Sequence, residues 1–350
     1  MENELSKKTF MLAILEILKK YSDKNNRLSQ KEIGELVERE YSLKIGRKAI
    51  KRNLEQLIDM GYDIEYDKTM RENKAGGAPI EEFSNWYIVR EFSDAELRLL
   101  IDATLFSKHI PHGQRKELIK KLAQQSNKYF NARIGHIRTM PGHLTQSKEL
   151  FYTIELLDEA ISNKLKVAFK CMQYGVDKKL HPVKNADGSK REYIVSPYQM
   201  AVSNGRYYLI CNHDNSDKLY HYRLDIISGI CILEDEPARP IKEIRNFKDG
   251  LNLPKYMEEH FYMFSGDSEN VTFRAKKTLV GAILDWFGMN VQFFDITEDE
   301  ITAKVRIGEN DMLYWALQYG LHVEILSPQS LRNKMREAVK EISEKYEDAL

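Results

Sequence analysis

The spacing of apolar residues near the start of the chain predicts three helices. Apolar side chains recur at helical intervals in residues 5–21. The sequence SQKE at residues 29–32 is a capping box that begins a second helix. A short turn at residues 42–46 then leads into a third helix, which runs to Met60. The apolar side of this third helix consists of Ile50, Leu54, Leu57 and Ile58.

The third helix carries cations on its other side. Gly61 ends the helix, and the alternating residues 62–66 can pair with residues 86–89 across a glycine-containing tip at residues 75–78. Two helices, a tight turn, a basic helix and a strand pair are the order of a winged helix-turn-helix domain. If this domain binds duplex DNA, the residues expected to contact it are Arg47, Lys48, Lys51 and Arg52.

Most of residues 92–163 have the apolar spacing and capping signals of helices. A capping box at residues 93–96 begins a helix, which the sequence PHG at residues 111–113 interrupts before a lysine-rich helix. Residues 131–147 are predicted to be irregular, and residues 151–163 are helical again. We therefore expect a helical connector whose apolar stripe packs on the next module or on a partner protomer.

The next part of the chain has the two-residue rhythm of strands. An Asp-Gly turn at residues 187–188 and further polar clusters separate short alternating runs that are rich in aromatic and β-branched residues. About five short strands after one helix are the order of an Sm-like small barrel. The predicted strands are residues 165–174, 194–198, 200–202, 207–211 and 219–224.

The last segment alternates between strands and helices. The order is strand, helix, strand, strand, helix, strand, which is the ferredoxin-like βαββαβ arrangement. A final amphipathic helix follows at residues 331–346. The six elements are predicted at residues 271–274, 276–287, 291–295, 301–307, 310–319 and 322–326.

These patterns predict a multidomain α+β chain, and its 350 residues are too many for one ordinary core. The predicted parts are a winged helix-turn-helix DNA-binding domain at 1–90, a helical connector at 91–148, an Sm-like barrel domain at 149–241, a linker at 242–268, and a ferredoxin-like domain at 269–350.

Composition indicates where in the cell the protein is expected to function. No apolar run approaches the roughly 18 residues that a membrane span needs, and the first ten residues lack a signal-peptide core. The three cysteines are odd in number and lack the spacing of a metal site. We expect a cytoplasmic protein that has no membrane contact, bound metal or cofactor.

Charge is balanced overall but unevenly distributed. The net charge is zero, yet residues 44–52 contain five bases and no acid. Residues 164–191 contain eight bases against Asp177 and Asp187. Two basic zones in a neutral chain indicate two separate anionic contacts, although either zone alone is also typical of a solvated surface.

Polar side chains lie within the predicted strands of the Sm-like domain rather than in its loops. His221 and Arg223 are two residues apart and therefore share one face of a strand. Ser196 and Tyr208 supply hydroxyl groups in neighbouring strands. A cation and an imidazole are costly to bury without partners, so this face is suited to an anion. The alternative is that Arg223 pairs with Asp225 or with a carboxylate of the linker, and that His221 is a satisfied core residue.

Three short segments of these strands resemble the signature of WYL domains. They are SPY at residues 196–198, GRYYL at residues 205–209 and YRLD at residues 222–225, with Tyr207 in place of the tryptophan. Residues 45–64 similarly resemble the recognition helix of the DNA-binding domain that accompanies WYL domains in bacterial transcription regulators. The C-terminal segment resembles the extension found in the same regulators.

The resemblance implies a homodimeric transcription regulator that binds an operator in double-stranded DNA. Its WYL domain would sense an anionic effector, such as a single-stranded nucleic acid or a nucleotide. In this interpretation, Arg223 grips a phosphate and His221 donates a further hydrogen bond. The effector-binding residues are expected to be Ser196, Tyr198, Tyr208, His221 and Arg223.

Two other classes of function remain open at this stage. The chain could be an accessory module that uses the barrel on RNA or single-stranded DNA without recognising an operator. It could also be an enzyme with His221 as a base and Asp225 as its partner. In an extended strand these two residues lie roughly 13 Å apart, which is too far for a hydrogen bond. The sequence has no familiar catalytic motif, and we expect no enzymatic activity.

Overall fold

The structure is a computed structural model that describes residues 2–71, 79–108, 110–134 and 149–347. It is a mixed α/β chain with helices at the N-terminal end and several antiparallel sheets. The chain divides into two compact units, which consist of Met1–Phe106 with His112–Pro141 and of Ser107–Pro111 with Gly142–Leu350.

The elements of the first unit are six helices and two strands within the described residues. They are α1 (Glu2–Tyr21), α2 (Gln30–Tyr41), α3 (Arg47–Asp59), β1 (Ile64–Arg71), β2 (Ile80–Ile88), α4 (Asp94–Phe106), α5 (His112–Ala123) and α6 (Lys128–Ile134).

Local sequence explains where the first helices begin and end. The Ser29 hydroxyl accepts a hydrogen bond from the Glu32 amide, and the Glu32 carboxylate accepts one from the Ser29 amide, as the predicted capping box requires. Gly46 is the N-cap of α3, and Gly61 follows the helix with a φ angle of +94° that favours glycine. Ile14, Ile33 and Leu54 are completely buried in the core that joins α1, α2 and α3.

The strand pair predicted beside α3 is present and longer than the sequence indicated. β1 and β2 pair antiparallel, with Ile64 opposite Ile88 and Arg71 opposite Ile80. The predicted tip at residues 75–78 lies outside the described residues, as do residues 135–147 of the segment predicted to be irregular. Residues 131–134, which were also predicted to be irregular, instead complete helix α6.

The second unit contains the remaining described elements. They are α7 (Leu150–Asn163), β3 (Leu165–Tyr174), β4 (Leu180–Pro182), β5 (Glu192–Ser203), β6 (Arg206–Asn212), β7 (Leu219–Arg223), β8 (Ile227–Pro237), α8 (Leu253–Glu259), β9 (Ser268–Lys276), α9 (Val280–Phe287), β10 (Gln292–Phe294), β11 (Glu300–Gly308), α10 (Glu309–Gln318), β12 (Val323–Ser327) and α11 (Gln329–Tyr346).

The first sheet of this unit has the strand order β4-β3-β5-β6-β7, and β8 pairs with β3. The two strands predicted at residues 194–202 form one continuous strand, because Pro197 is accommodated in an irregularity of the β5–β6 register rather than at a break. Asp225 does not continue β7. It lies in the 3₁₀ turn Leu224–Ile226, so the prediction that it continues the strand was wrong and the extended-strand estimate of its distance from His221 does not apply.

The second sheet of this unit has the strand order β10-β11-β9-β12, with every neighbouring pair antiparallel. Its elements follow the predicted order strand, helix, strand, strand, helix, strand. Phe273 on β9 and Trp315 on α10 are completely buried, with ring centroids 5.3 Å apart. No helix in the described part of the chain combines the length and apolar character needed to cross a membrane.

Candidate functional site

Two cations on α3 are exposed and unpaired within the described residues. Lys48 and Arg52 are four residues apart, so they lie on the same side of the helix. Neither side chain has an ion pair or a hydrogen bond to the described residues. Opposite them, Ile50 and Leu54 are buried in the core. The helix therefore presents a cationic side that is free to contact an anion.

The other two predicted DNA-binding cations of α3 contact neighbouring groups. The Arg47 guanidinium lies 4.0 Å from the carboxylate of Glu82 on β2. The Lys51 ammonium lies 4.2 Å from the centre of the Phe83 ring and 3.7 Å from the Glu55 carboxylate. Lys51 therefore helps to hold the strand pair against the helix, which Lys48 and Arg52 do not.

In the second unit, the register of β5, β6 and β7 places the predicted effector residues on one side of the sheet. Tyr208 lies opposite Arg223, and Ile210 lies opposite His221. Ser196 pairs with Asn212, which is on the same side of β6 as Tyr208 because the two are four residues apart. We call this side the β5–β7 face.

An arginine cluster occupies one end of the β5–β7 face. Arg223 donates two hydrogen bonds to Asp225, at 3.0 and 2.6 Å, and Arg206 lies 3.4 Å from the same carboxylate. Asp225 is completely buried, whereas each arginine side chain is about 25% exposed. Two guanidinium groups share one carboxylate, so the cluster keeps a positive charge at a partly open surface.

The electrostatics of the arginine cluster favour its charged form. Burial is the largest single influence on Arg223 and disfavours its charge, but the hydrogen bonds to Asp225 and the attraction of the Asp225 charge, with smaller contributions from Tyr208 and Tyr174, together raise the pKa of Arg223 above its ordinary value. Burial also raises the pKa values of Tyr174 and Tyr208, which the nearby arginines partly offset. Both phenols therefore remain protonated near neutral pH and can donate hydrogen bonds beside the cluster.

His221 lies in the middle of the face, where residues from a later part of the chain cover it. Its Nδ1 atom donates to the backbone carbonyl of Met263 at 2.9 Å, because a carbonyl can only accept. Its Nε2 atom therefore accepts from the Tyr256 hydroxyl at 2.8 Å. Burial lowers the pKa of His221 to about 4, with a smaller contribution from His260. Both ring nitrogens are engaged within the chain.

Ser196 and Tyr198 lie at the other end of the face, and both bind Arg239. The Ser196 hydroxyl accepts a hydrogen bond from the Arg239 amide at 2.9 Å, and the Tyr198 hydroxyl donates to the Arg239 carbonyl at 2.8 Å. Ser196 is completely buried. These two residues therefore contact the backbone of the chain itself.

The side chain of Arg239 fills a socket of oxygen acceptors. It donates to the carbonyl of Ser216 at 2.9 Å, to the carboxylate of Asp217 at 3.1 Å and to the carbonyl of Glu243 at 3.2 Å. A socket of carbonyl and carboxylate oxygens suits a guanidinium group. This end of the β5–β7 face is therefore built to hold a cation rather than an anion.

Residues 239–264, which we call the strap, continue from this socket across the face. Ile244, Tyr256 and Met263 of the strap are buried in one apolar cluster with Ile210 and Leu219 of the face. Tyr198 and Tyr208 pack against the same cluster. The segment predicted to be largely a linker thus contains α8 and makes an extensive contact. The predicted domain boundaries themselves stay a prediction.

The structure therefore brings the five predicted effector residues to one face but not to one ligand pocket. Ser196, Tyr198 and His221 bind the strap, and Arg223 binds Asp225. Arg206 was not predicted, although it is two residues before Tyr208 and must share its face. No sequence signal indicated Arg239, because its position depends on a loop that folds back onto the sheet.

Comparison with protein families identifies two domains in the second unit. The model of the WYL domain matches residues 183–232, and that of the WCX domain matches residues 267–343. The chain contains a WYL domain and a WCX domain. The arginine cluster, Ser196, Tyr198 and His221 lie in the WYL domain, and the whole strap lies between the two matched regions.

The chain is also similar to two solved structures at low sequence identity. One is the proteasome accessory factor B/C (PafBC) of Arthrobacter aurescens, at 15% identity and a TM-score of 0.29, covering 97% of this chain and 49% of that chain. The other is a CRISPR Cas-related protein, at 15% identity and a TM-score of 0.36, covering 98% of this chain and 85% of that chain. This chain thus spans about half the length of PafBC. A comparison with curated proteins finds no match.

Other candidate chemistry in the described residues is sparse. No group of three or more His, Cys, Asp and Glu side chains is arranged to hold a metal ion among them. Three histidines, His109, His136 and His143, lie outside the described residues. Burial raises the pKa of the Cys171 thiol to about 12, which makes it a poor nucleophile near neutral pH.

Proposed function

We propose that this WYL-domain protein is a sequence-specific regulator of transcription that binds an operator in duplex DNA. The observation that carries the proposal is the exposed cationic side of α3, where Lys48 and Arg52 lie without partners in the described residues. A helix that presents basic side chains beside an antiparallel strand pair suits the major groove and its phosphates. Arg47 and Lys51 complete the proposed DNA contacts.

We further propose that the WYL domain senses an anionic effector through its arginine cluster. Arg206 and Arg223 together carry more positive charge than Asp225 neutralises, and both are partly exposed. Guanidinium groups bind phosphate oxygens bidentately, and the nearby Tyr208 hydroxyl can add a neutral hydrogen bond. A phosphate-bearing effector, such as a nucleotide or a single-stranded nucleic acid, fits this chemistry.

The proposal extends to the folds of the WYL and WCX domains and to the oligomeric state. The strand orders of the two sheets in the second unit support an Sm-like barrel for the WYL domain and a ferredoxin-like fold for the WCX domain. Binding of two protomers to one inverted repeat would make the regulator a homodimer in the cytoplasm. Its role would then be binding and regulation rather than catalysis.

Selection of duplex fragments from the source genome by the purified protein tests the proposal. We expect recovery of a short inverted repeat at physiological salt, and its loss with the double variant Lys48→Gln/Arg52→Gln. The matched control is Lys24→Gln, because Lys24 is an exposed cation of the same unit outside α3. Enrichment of single strands without any duplex site would instead favour an accessory nucleic-acid module and would exclude an operator-binding regulator.

A further inference from the structure

The strap contacts Ser196, Tyr198 and His221, three of the residues predicted to bind the effector. Ser196, Tyr198 and His221 each use their polar atoms on strap residues, and Tyr208 packs against the same apolar cluster. An effector that reached past the arginine cluster would therefore meet the chain itself. We propose that the strap is an intramolecular occupant of the β5–β7 face and that the effector displaces it. This inference rests on the effector sensing proposed above.

Hydrogen bonds hold the strap at its two ends, and the apolar cluster together with the hydrogen bond from Tyr256 to His221 holds its middle. At the first end, Arg239 is bound through both its backbone and its guanidinium group. At the second end, His221 donates to the carbonyl of Met263, and Asn204 donates to the carbonyl of Phe261 at 2.8 Å. The strap, whose residues are all described, contributes no strand to the sheet, so it can open locally while the sheet beneath it stays folded.

The backbone of the strap is irregular in a way that favours reversible docking. Its one α-helix, Leu253–Glu259, is seven residues long. Met263, which accepts the hydrogen bond from His221, has a φ angle of +60°, in the left-handed region that is unfavourable for a residue with a side chain. The docked conformation therefore depends on its contacts with the face, and loss of those contacts releases the local strain.

The strap also leads directly into the WCX domain. The amide of Tyr262 donates to Asp311 in the first turn of α10 at 2.7 Å, and His260 lies 3.1 Å from the hydroxyl of Ser268 at the start of β9. Displacement of the strap would disturb these contacts as well as those on the face. Occupancy of the WYL domain would in this way be transmitted to the WCX domain through a continuous covalent segment.

A binding measurement on the full-length protein tests the inference. The probe is a fluorescein-labelled short oligothymidylate, and its anisotropy is measured with the wild-type protein and three variants. Arg239→Gln removes the guanidinium from its socket, and Tyr256→Phe removes only the hydroxyl that donates to His221. The matched control is Arg245→Gln, because Arg245 is exposed on the same strap and has no side-chain partner among the described residues.

If the strap competes with the effector, weakening the strap raises the fraction of protein that can bind. We expect Arg239→Gln to bind the probe about tenfold more tightly than the wild type, and Tyr256→Phe to change affinity in the same direction by about threefold. Arg245→Gln should match the wild type. Amide hydrogen exchange in residues 239–264 should become faster when the probe binds, which a purely structural strap would not show.

The possible failures are distinguishable. If a folded Arg239→Gln protein bound the probe with the same affinity as the wild type, or more weakly, the strap would not be a competitor. Effector sensing would be unaffected by that result. Slower hydrogen exchange of the strap on binding would also overturn it, because the strap would then form part of the site. Absence of binding by both the wild type and Arg239→Gln would contradict effector sensing itself, and the strap inference with it.

Discussion

The cations of α3 and those of the β5–β7 face differ in their exposure and in how far the folded protein depends on them. Lys48 and Arg52 are exposed and make no ion pair with the described residues. Arg223 is three-quarters buried and is fixed by two hydrogen bonds to Asp225, whose side chain has no exposed surface. The cations of α3 are therefore available to bind a partner, whereas the charge of Arg223 is already paired with Asp225 inside the folded protein.

The difference has a physical origin in solvation. An exposed cation keeps its water shell until a partner replaces it, so its loss leaves folding nearly unchanged. A buried carboxylate lacks that shell and depends on its cationic neighbours, so the removal of one neighbour is costly. The same type of substitution should thus have different consequences in the two regions. It should mainly lower stability on the β5–β7 face and mainly weaken binding on α3.

The largest expected effect is on stability. Arg223→Gln leaves the buried Asp225 with Arg206 as its cationic partner, at 3.4 Å, and should lower the free energy of unfolding of the second unit by about 3 kcal/mol. Lys48→Gln, the matched substitution on α3, should change stability by less than about 0.5 kcal/mol. Urea denaturation measured for each protein provides the comparison. Equal stabilities for the two variants would remove the distinction drawn between the two regions.

The next largest effect is on DNA binding. Four phosphate contacts in each protomer of a dimer predict a slope of roughly −7 for log K against log salt. The double variant Lys48→Gln/Arg52→Gln removes half of those contacts, so the slope should fall to roughly −3.5 and the affinity at physiological salt by about a hundredfold or more. Fluorescence anisotropy with the recovered operator over a series of salt concentrations measures both quantities.

The salt slope also separates this interpretation from a structural role for α3. A variant with the wild-type slope but weaker binding would mean that the two residues shape the domain without touching phosphate. Lys24→Gln should leave slope and affinity unchanged, since that exposed cation lies outside α3. Melting temperatures of all three proteins establish that a loss of binding is not a loss of folding.

Much of the fold follows from local signals in the sequence. The capping box at Ser29 and Glu32, the helix end at Gly61 and the antiparallel pairing of Ile64 with Ile88 all depend on residues close in the chain or on simple periodicity. The misplacement of Asp225 has the opposite cause. A 3₁₀ turn after β7 changes the direction of the chain, and the alternation of apolar and polar residues does not indicate this turn.

The candidate face was less predictable than the strands that form it. A period of two placed His221 and Arg223 on one side of β7, which the register confirms. The partners of those side chains depend on contacts between distant residues, such as the 2.8 Å hydrogen bond from Tyr256 to His221 across 35 positions. Sequence periodicity identifies which residues share a face, but it cannot show what covers that face.

The smallest of the three effects is a pH dependence that belongs to the covered face. The folded-state pKa of His221 is about 4, below the ordinary value of about 6.5, because burial disfavours the imidazolium. His221 therefore contributes stability that is fully present above about pH 6.5 and is lost as the pH falls toward 4. Between about pH 6.5 and 5 the loss should amount to roughly 2 kcal/mol.

The total pH dependence of the second unit contains other buried groups, so a variant is needed to isolate His221. Burial lowers the pKa of His260 to about 4, which acts in the same direction, and raises the pKa of Asp311 to about 7, which opposes both. The difference in unfolding free energy between the wild type and His221→Gln removes these shared contributions. That difference should shrink by roughly 2 kcal/mol between about pH 6.5 and 5. A difference that is constant with pH would show that the imidazole titrates freely and that the strap does not seal it from water.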